Sequence, residues 1–446
     1  MLSGVKDRQS LHMPAHHGAA LFYYDPIALD TTELPDTDNL YQPFGAIAEA
    51  QQLLALSAGV QSAHFLHNGS TAGIQAMLLY ARHRGGKILM QRSSHISVYH
   101  FAAVLGLEAV YMKDSFTKEG IPYLDTEHAV ACVRQNPDAS AILLTSPNYY
   151  GVCVDIARIS AVARQEGTLV LVDQAHGAHL NWSKSLKNAG EYGADIFVQS
   201  AHKTLPCATS CAWLLNKTQD ADLLLKCLQS VQTTSPSFIN MLMMDDARAY
   251  MDANAALDKI LSLIESFGRR VAHLGYHLTL EELERQGHIV DKTRLVLDCP
   301  QGGYAVRDVL SKCGIDVEMV DARRIVCILS LLPKVCKQEL QTLYFGLMGV
   351  AYQERSLSVP ADFIPQIAIP EAVVSLQSGY YAAKEHIPLH AAIGRSSADI
   401  IGLYPPGTPL IVWGERFTAG LVHALESADP RHIVGVEAGR VYVIKE

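Results

Sequence analysis

The chain has 446 residues, 49% of them apolar and 18% charged, and a net charge of −9. This describes a large-cored chain of about two or three domains, and with no Lys/Arg cluster it excludes nucleic-acid and lipid surfaces as partners. The N-terminal Met1–Ser10 lacks a signal-peptide stretch, no apolar run approaches the ~18 residues of a membrane span, and nine cysteines are scattered without C-x-x-C spacing, so reduced thiols and a cytoplasmic location are expected.

Residues 1–40, rich in His, Pro, Asp and Tyr, read as an ordered N-terminal arm. Ala46–Leu56 has helical spacing through Ile47, Ala50, Leu53 and Leu54. Phe65 and Leu66 read as the end of a strand that Asn68-Gly69-Ser70-Thr71-Ala72-Gly73 joins to an apolar-faced helix over Ile74–Arg82. Strand-like runs recur at Lys87–Met90, Ala109–Met112, Ala141–Leu144, Leu169–Val172 and Ile196–Val198, with helical stretches such as Ile156–Glu166 between them. Ala212–Leu215 adds one more strand. The alternation predicts an α/β fold, a mostly parallel sheet covered by helices on both faces.

Met241–Tyr250 and Ala256–Leu274 read as long helices. Strands at Arg294–Leu297, Asp316–Val320 and Ile325–Leu329 point to a smaller α/β domain, 353–375 to a polar connector, and Ala391–Leu403 to a helix before the stiff turn Tyr404–Pro409. The expected division is an arm over 1–40, a large domain over 41–290 and a smaller C-terminal part over 291–446.

Two segments carry the chemistry. Ser200-Ala201-His202-Lys203-Thr204-Leu205-Pro206 sets a lysine beside a histidine just past an apolar run, a poor place for a freely exposed ammonium. Thirty positions earlier, Asp173 ends the apolar run Leu169–Val172, where ligands of open α/β sheets gather. An enzyme that holds pyridoxal phosphate needs both: an amine for the aldehyde and a carboxylate for the protonated ring nitrogen. Asn68–Gly73 offers an anion the hydroxyls of Ser70 and Thr71 and a helix N-terminus, although a capping serine alone is commonplace. His95 is placed to stack on a planar ring. The groups His12/His16/His17 and His176/His179 have spacings a metal uses, but neither H-E-x-x-H nor C-x-x-C accompanies them, so no metal site is expected.

Together these segments resemble the ornithine/lysine/arginine decarboxylase family, of the aminotransferase-like fold type I. The resemblance runs over nearly the whole chain. It takes in His12–Gly18, Asp30–Pro35, Asp38–Leu40, Pro43–Gly45, Asn68–Gly73, His95, Ser146–Gly151, Asp173–His179 and Ser200–Pro206. It continues through Thr233–Ser237, Asp245–Arg248, Ile393–Arg395, Tyr404–Pro409 and Gly414-Glu415. The chain looks like the compact type, without the N-terminal wing domain of larger members.

The resemblance implies that Lys203 is the Schiff-base lysine and Asp173 the pyridinium partner, with His95 stacking on the ring. Ser70 and Thr71 would hold the phosphate, and Ser200 and His202 would lie by the phosphate and the reacting face. Thr234 and Ser235 would reach a neighbouring subunit's cofactor in a homodimer or higher homo-oligomer. It implies decarboxylation of arginine, lysine or ornithine to a polyamine precursor, arginine slightly ahead, with Lys203 or His202 returning a proton to Cα. Glu33, Asp36, Asp38 and Glu415 are candidates for the distal basic group. The chain departs from the family pattern at Ala15, His17, Gln174, Ile96, Ser210 and His390. Those departures leave open an alternative reaction on the same scaffold: elimination, cyclisation or transamination of a basic or modified amino acid.

Overall fold

A computed structural model describes residues 8–21, 25–34, 36–353, 368–404 and 407–446. Residues 1–7, 22–24 and 35 of the expected arm, residues 354–367 of the expected connector, and Pro405-Pro406 of the expected turn lie outside the described residues.

The fold is α/β with a mostly parallel central sheet. Its strands are β1 (Ser62–Leu66), β2 (Lys87–Gln91), β3 (Glu108–Met112), β4 (Ala141–Thr145), β5 (Leu169–Asp173), β6 (Ile196–Gln199) and β7 (Ala212–Asn216). Each lies at a position expected from sequence. Every residue of β5, β6 and β7 is buried, the signature of strands covered on both faces.

Contacts divide the chain into two compact units, each assembled from three stretches. The first comprises Met1–Ala76, Thr145–Ser160 and Leu171–Asp362. In it β5 and β6 run parallel, and β7 runs antiparallel to both β6 and β1. A four-stranded antiparallel sheet joins His277–Leu278, Leu295–Asp298, Arg324–Cys327 and Met319–Val320. The strand expected over Asp316–Val320 is two strands that change partner at Glu318: Ile315–Val317 pairs with the arm's Gln9–Leu11, and Met319–Val320 pairs with Val326 and Ile325. The helices Phe238–Ala253 and Ala256–Ala272 occur as expected, and Pro333–Gln353 forms a 21-residue helix that sequence reasoning missed.

The second unit comprises Met77–Leu144, Ala161–Val170 and Phe363–Glu446. In it β2 is parallel to β3 and to β4. Towards the C-terminus, Lys384–Pro388 pairs with Arg440–Ile444, and the helix Ala419–Ser427 packs Leu421 and Leu425 against Ile401, Ile411, Val441 and Val443. The helix expected over Ala391–Leu403 does not form. A 3-10 turn covers Leu389–Ala392, Gly394 takes φ +84, and a strand begins only at Ile401. Ser397 explains the break: its N–H donates to the Glu415 carbonyl at 2.7 Å and its hydroxyl to the Asp399 carbonyl at 2.7 Å, bonds that compete with a helical ladder.

Candidate active site

Strand register brings the chemistry-bearing segments of the first unit to one edge. Ala212 stands opposite Leu66 and Trp213 opposite Gln199, so β1 and β6 finish at the same end of β7. Asp173 stands opposite Val198 in the parallel pairing of β5 with β6. The loops after β1, β5 and β6 therefore leave from a common edge at the carboxyl ends of parallel strands, and they carry Ser70 and Thr71, Asp173, and Ser200, His202 and Lys203.

Lys203 lies on the single helical turn Ala201–Thr204, whose N-cap is Ser200. Burial pushes its ammonium pKa below the usual lysine value; Asp173 pulls it back, Arg294 pushes it further down and Glu318 pulls it up. The outcome is an amine more available as a nucleophile than a surface lysine. The His202 ring is anchored by Nδ1 to the Cys211 carbonyl at 2.9 Å, and its backbone carbonyl accepts from the Ala15 N–H at 2.9 Å. Burial lowers its pKa, the bond to Cys211 opposes that, and neighbouring Lys203 adds to it. Asp173 is 4% exposed, and its Oδ1 accepts from the Ala175 N–H at 3.0 Å.

The helix after β1 starts at Gly69, which takes φ +68, and Ser70 and Thr71 are half-buried in its first turn. Gly73 permits close packing here, because a Cβ on it would fall 2.4 Å from Val198 Cγ2 and 2.9 Å from Leu66 Cδ1. Ser200 is fully buried, and its hydroxyl has no hydrogen-bond partner among the described residues. A buried hydroxyl without a partner calls for a ligand to complete it. These residues fit pyridoxal phosphate: a depressed-pKa lysine, a buried carboxylate at the next strand end, and an unpartnered hydroxyl three residues before the lysine.

Thr234 and Ser235 are exposed, on a loop whose Thr233 carbonyl accepts from the Tyr41 hydroxyl. His95 belongs to the second unit, where its Nδ1 accepts from the Ser97 N–H at 3.2 Å and caps the helix Ile96–Leu105. Two of the distal-group candidates are engaged elsewhere. Asp38 is 4% exposed and takes the N–H groups of Asn39, Phe44, Gly45 and Ile47, so it is held at the start of the helix Ala46–Ala58, whose N-cap is Gly45. Burial alone would raise its carboxyl pKa, but those backbone bonds bring it below the usual value. Both Glu415 oxygens bond to Arg92. Glu33 and Asp36 remain near the surface.

Four residues join this neighbourhood that sequence reasoning missed: Arg294, Glu318, Tyr149 and Asp291. Tyr149 donates its hydroxyl to Glu318 Oε1, and Met13 donates its N–H to Glu318 Oε2 at 2.8 Å. Arg294 Nη2 meets His176 Nδ1 at 3.0 Å. His179 Nε2 lies 3.1 Å from Asp291 Oδ2, and His17 is paired with buried Glu339. Both histidine groups singled out from sequence thus have members held by protein side chains. Among the departures from the family pattern, Gln174 is buried and its Oε1 accepts from Gln199 Nε2 at 2.7 Å, which ties the loop after β5 to β6.

Over residues 7–279 the sequence matches the family described as Orn/Lys/Arg decarboxylase, major domain. It is 32% identical over 445 residues to the uncharacterized protein YaaO of Bacillus subtilis (strain 168), covering 94% of this chain and 91% of that one. It is 27% identical over 451 residues to the arginine decarboxylase of the same organism, again covering 94% and 91%. In fold it is similar to the constitutive lysine decarboxylase of E. coli, with a TM-score of 0.75 at 16% identity, covering 90% of this chain and 74% of that one. The fold and family define a pyridoxal-phosphate-dependent amino acid decarboxylase of fold type I. The chain belongs to the Orn/Lys/Arg decarboxylase family.

Proposed function

We propose that this protein removes the α-carboxylate of a basic amino acid, arginine ahead of lysine and ornithine, using pyridoxal phosphate carried on Lys203. The observation that carries the reading is the convergence of Lys203, Asp173 and the unpartnered Ser200 hydroxyl at one edge of the sheet. The bound cofactor supplies an electron sink for the carbanion left when CO2 departs. Asp173 keeps a proton on the ring nitrogen, which makes that sink effective. Ser70, Thr71 and Ser200 hold the phosphate. Lys203 or His202 delivers the proton to Cα.

A homodimer completes this proposal. Thr234 and Ser235 are exposed in the single chain, as the expected reach to a partner's cofactor requires, and Phe44 and Leu56 nearby in sequence to the arm are 75% and 71% exposed. A cytoplasmic setting accords with the free cysteines and with there being no helix, among the described residues, long and apolar enough to cross a membrane.

The test is CO2 release from arginine, lysine, ornithine and 2,6-diaminopimelate, together with borohydride reduction of the cofactor-loaded protein and mapping of the modified peptide. The expected outcome is CO2 from at least one of them and a reduced adduct on Lys203. Sedimentation at graded concentration is expected to give a dimer. An adduct on another lysine, or cofactor retention with no CO2 from any of the four, would overturn the reading.

A further inference from the structure

Arg294 is 4% exposed and sits one residue before the strand Leu295–Asp298. Its Nη2 is committed to His176 Nδ1 at 3.0 Å, while its Nη1 is buried with no hydrogen-bond partner among the described residues. A guanidinium nitrogen left in this state costs roughly 1–3 kcal/mol or more, so its retention asks for a hydrogen-bond acceptor that the described residues do not supply.

Burial would raise the Asp291 carboxyl pKa, but His179, Thr293 and the nearby charge of Arg294 hold it below the usual value; even so, no carboxylate among the described residues accepts from Nη1. Asp291 Oδ1 takes the Thr293 N–H at 3.0 Å and the Thr293 hydroxyl at 2.7 Å, and Oδ2 faces His179 at 3.1 Å. Glu318 is held by Tyr149 and Met13. Asp321 is held by Arg324 and Tyr150. The stem of Arg294 is also fixed: Gly151 takes φ +91, and a Cβ there would come within 3.0 Å of Arg294 Cβ. The guanidinium is close enough to Lys203 to push that ammonium's pKa down.

We propose that Arg294 takes the α-carboxylate of the amino-acid substrate through its unpartnered Nη1, a specificity role that rests on Lys203 carrying the cofactor. A charge-assisted bond to the carboxylate fixes the orientation of the Cα–carboxylate bond relative to the cofactor ring. It also separates substrate from product. The amine formed has lost the carboxylate, so it leaves an anchor-free site. Recognition of this kind is indifferent to the substrate's side chain, which other residues select.

The experiment titrates the cofactor-loaded protein with L-arginine, L-argininamide and agmatine, and with the lysine and ornithine counterparts. Binding is read from the cofactor absorbance in the first moments after mixing. In the parent, the amino acid is expected to bind at least ~10-fold more tightly than its amide or amine. In Arg294→Gln that gap is expected to close to within ~3-fold. Arg294→Lys, which keeps a charge but not the fork, should give an intermediate gap, and it decides the matter if the glutamine variant does not fold.

A parent that binds acid, amide and amine alike overturns the assignment, as does a variant that weakens all three equally. A variant that loses cofactor affinity while the gap persists makes Arg294 a cofactor contact instead. If no compound perturbs the absorbance of the parent, the failure lies with the proposed function rather than with Arg294.

Discussion

Arg92 and Glu415 meet through two parallel bonds of 2.7 Å, Nη1 to Oε1 and Nη2 to Oε2. Both side chains are buried, and Arg92 also donates to the carbonyls of Pro409 at 3.1 Å and Leu410 at 3.2 Å. The pair ties the loop after β2 to the last eighth of the chain. Removing one partner strands the other charge out of water, so Glu415→Ala is expected to cost about 3–5 kcal/mol. Urea unfolding midpoints with a two-state fit check this. A loss under about 1 kcal/mol would mean that the pair is solvated, as surface pairs are.

Next to Arg92, Ser93 donates its hydroxyl to Asp114 Oδ1 at 2.8 Å. Burial pushes the Asp114 carboxyl up to about 6, and the bonds from Ser93 and the charge of Arg92 oppose that only in part. The folded value lies above the unfolded one, so the folded chain keeps a proton that the unfolded chain has released. This contribution to stability is whole below the unfolded pKa of about 4 and is lost as pH rises through the folded value. Asp114→Asn removes the dependence. It is expected to be more stable than the parent by about 1–3 kcal/mol at pH 8 and equal to it below about pH 4. Unfolding at three pH values tests the sign, and a pH-independent difference contradicts it.

Gly73 is where the helix after β1 touches the sheet. An added methyl would lie 2.4 Å from Val198 Cγ2 and 2.9 Å from Leu66 Cδ1, contacts that force a shift of the helix or of both strands. Gly73→Ala is expected to cost about 1–3 kcal/mol despite alanine's better helix propensity. Because Ser70 and Thr71 ride on the same turn, cofactor affinity should fall along with stability. A variant with parent-like melting and cofactor affinity would show that the turn tolerates displacement.

The placement of Asp173 at the end of β5 and of Lys203 on the turn after β6 was legible because each follows a short apolar run, and such runs mark buried strands without any knowledge of pairing. The seven strands of the central sheet were legible for the same reason. Arg294 and Glu318 were not. Each enters from a stretch more than ninety positions beyond Lys203, and a charged residue at the mouth of a strand looks the same in sequence whether it faces water or a buried lysine. Asp38 and Glu415 were candidates for the distal basic group, and the partners that hold them, backbone N–H groups at the start of the next helix and a guanidinium 323 positions away, have no signature beside them in sequence. The stretch after Ala391 has helical spacing of apolar residues, but the hydroxyl of Ser397 offered the backbone a competing set of bonds.

Ser200 allows structural and ligand roles to be separated in one variant. Its hydroxyl is fully buried just past β6, and nothing among the described residues accepts from it or donates to it. Replacing a buried hydroxyl that has protein partners strands those partners and destabilises the fold; replacing one that has none removes an unsatisfied group. Ser200→Ala is therefore expected to leave the cofactor-free protein as stable as the parent, or more stable by up to about 1 kcal/mol. Loaded with pyridoxal phosphate, the same variant should release it more readily, with a dissociation constant raised about tenfold, because a hydroxyl bond to a phosphate oxygen has gone. Thermal melting with and without cofactor reads both quantities: the cofactor-free curves coincide and the cofactor-induced shift shrinks. An alanine variant that melts lower without cofactor, yet keeps the full shift with it, would make Ser200 part of the scaffold and move the phosphate away from the end of β6.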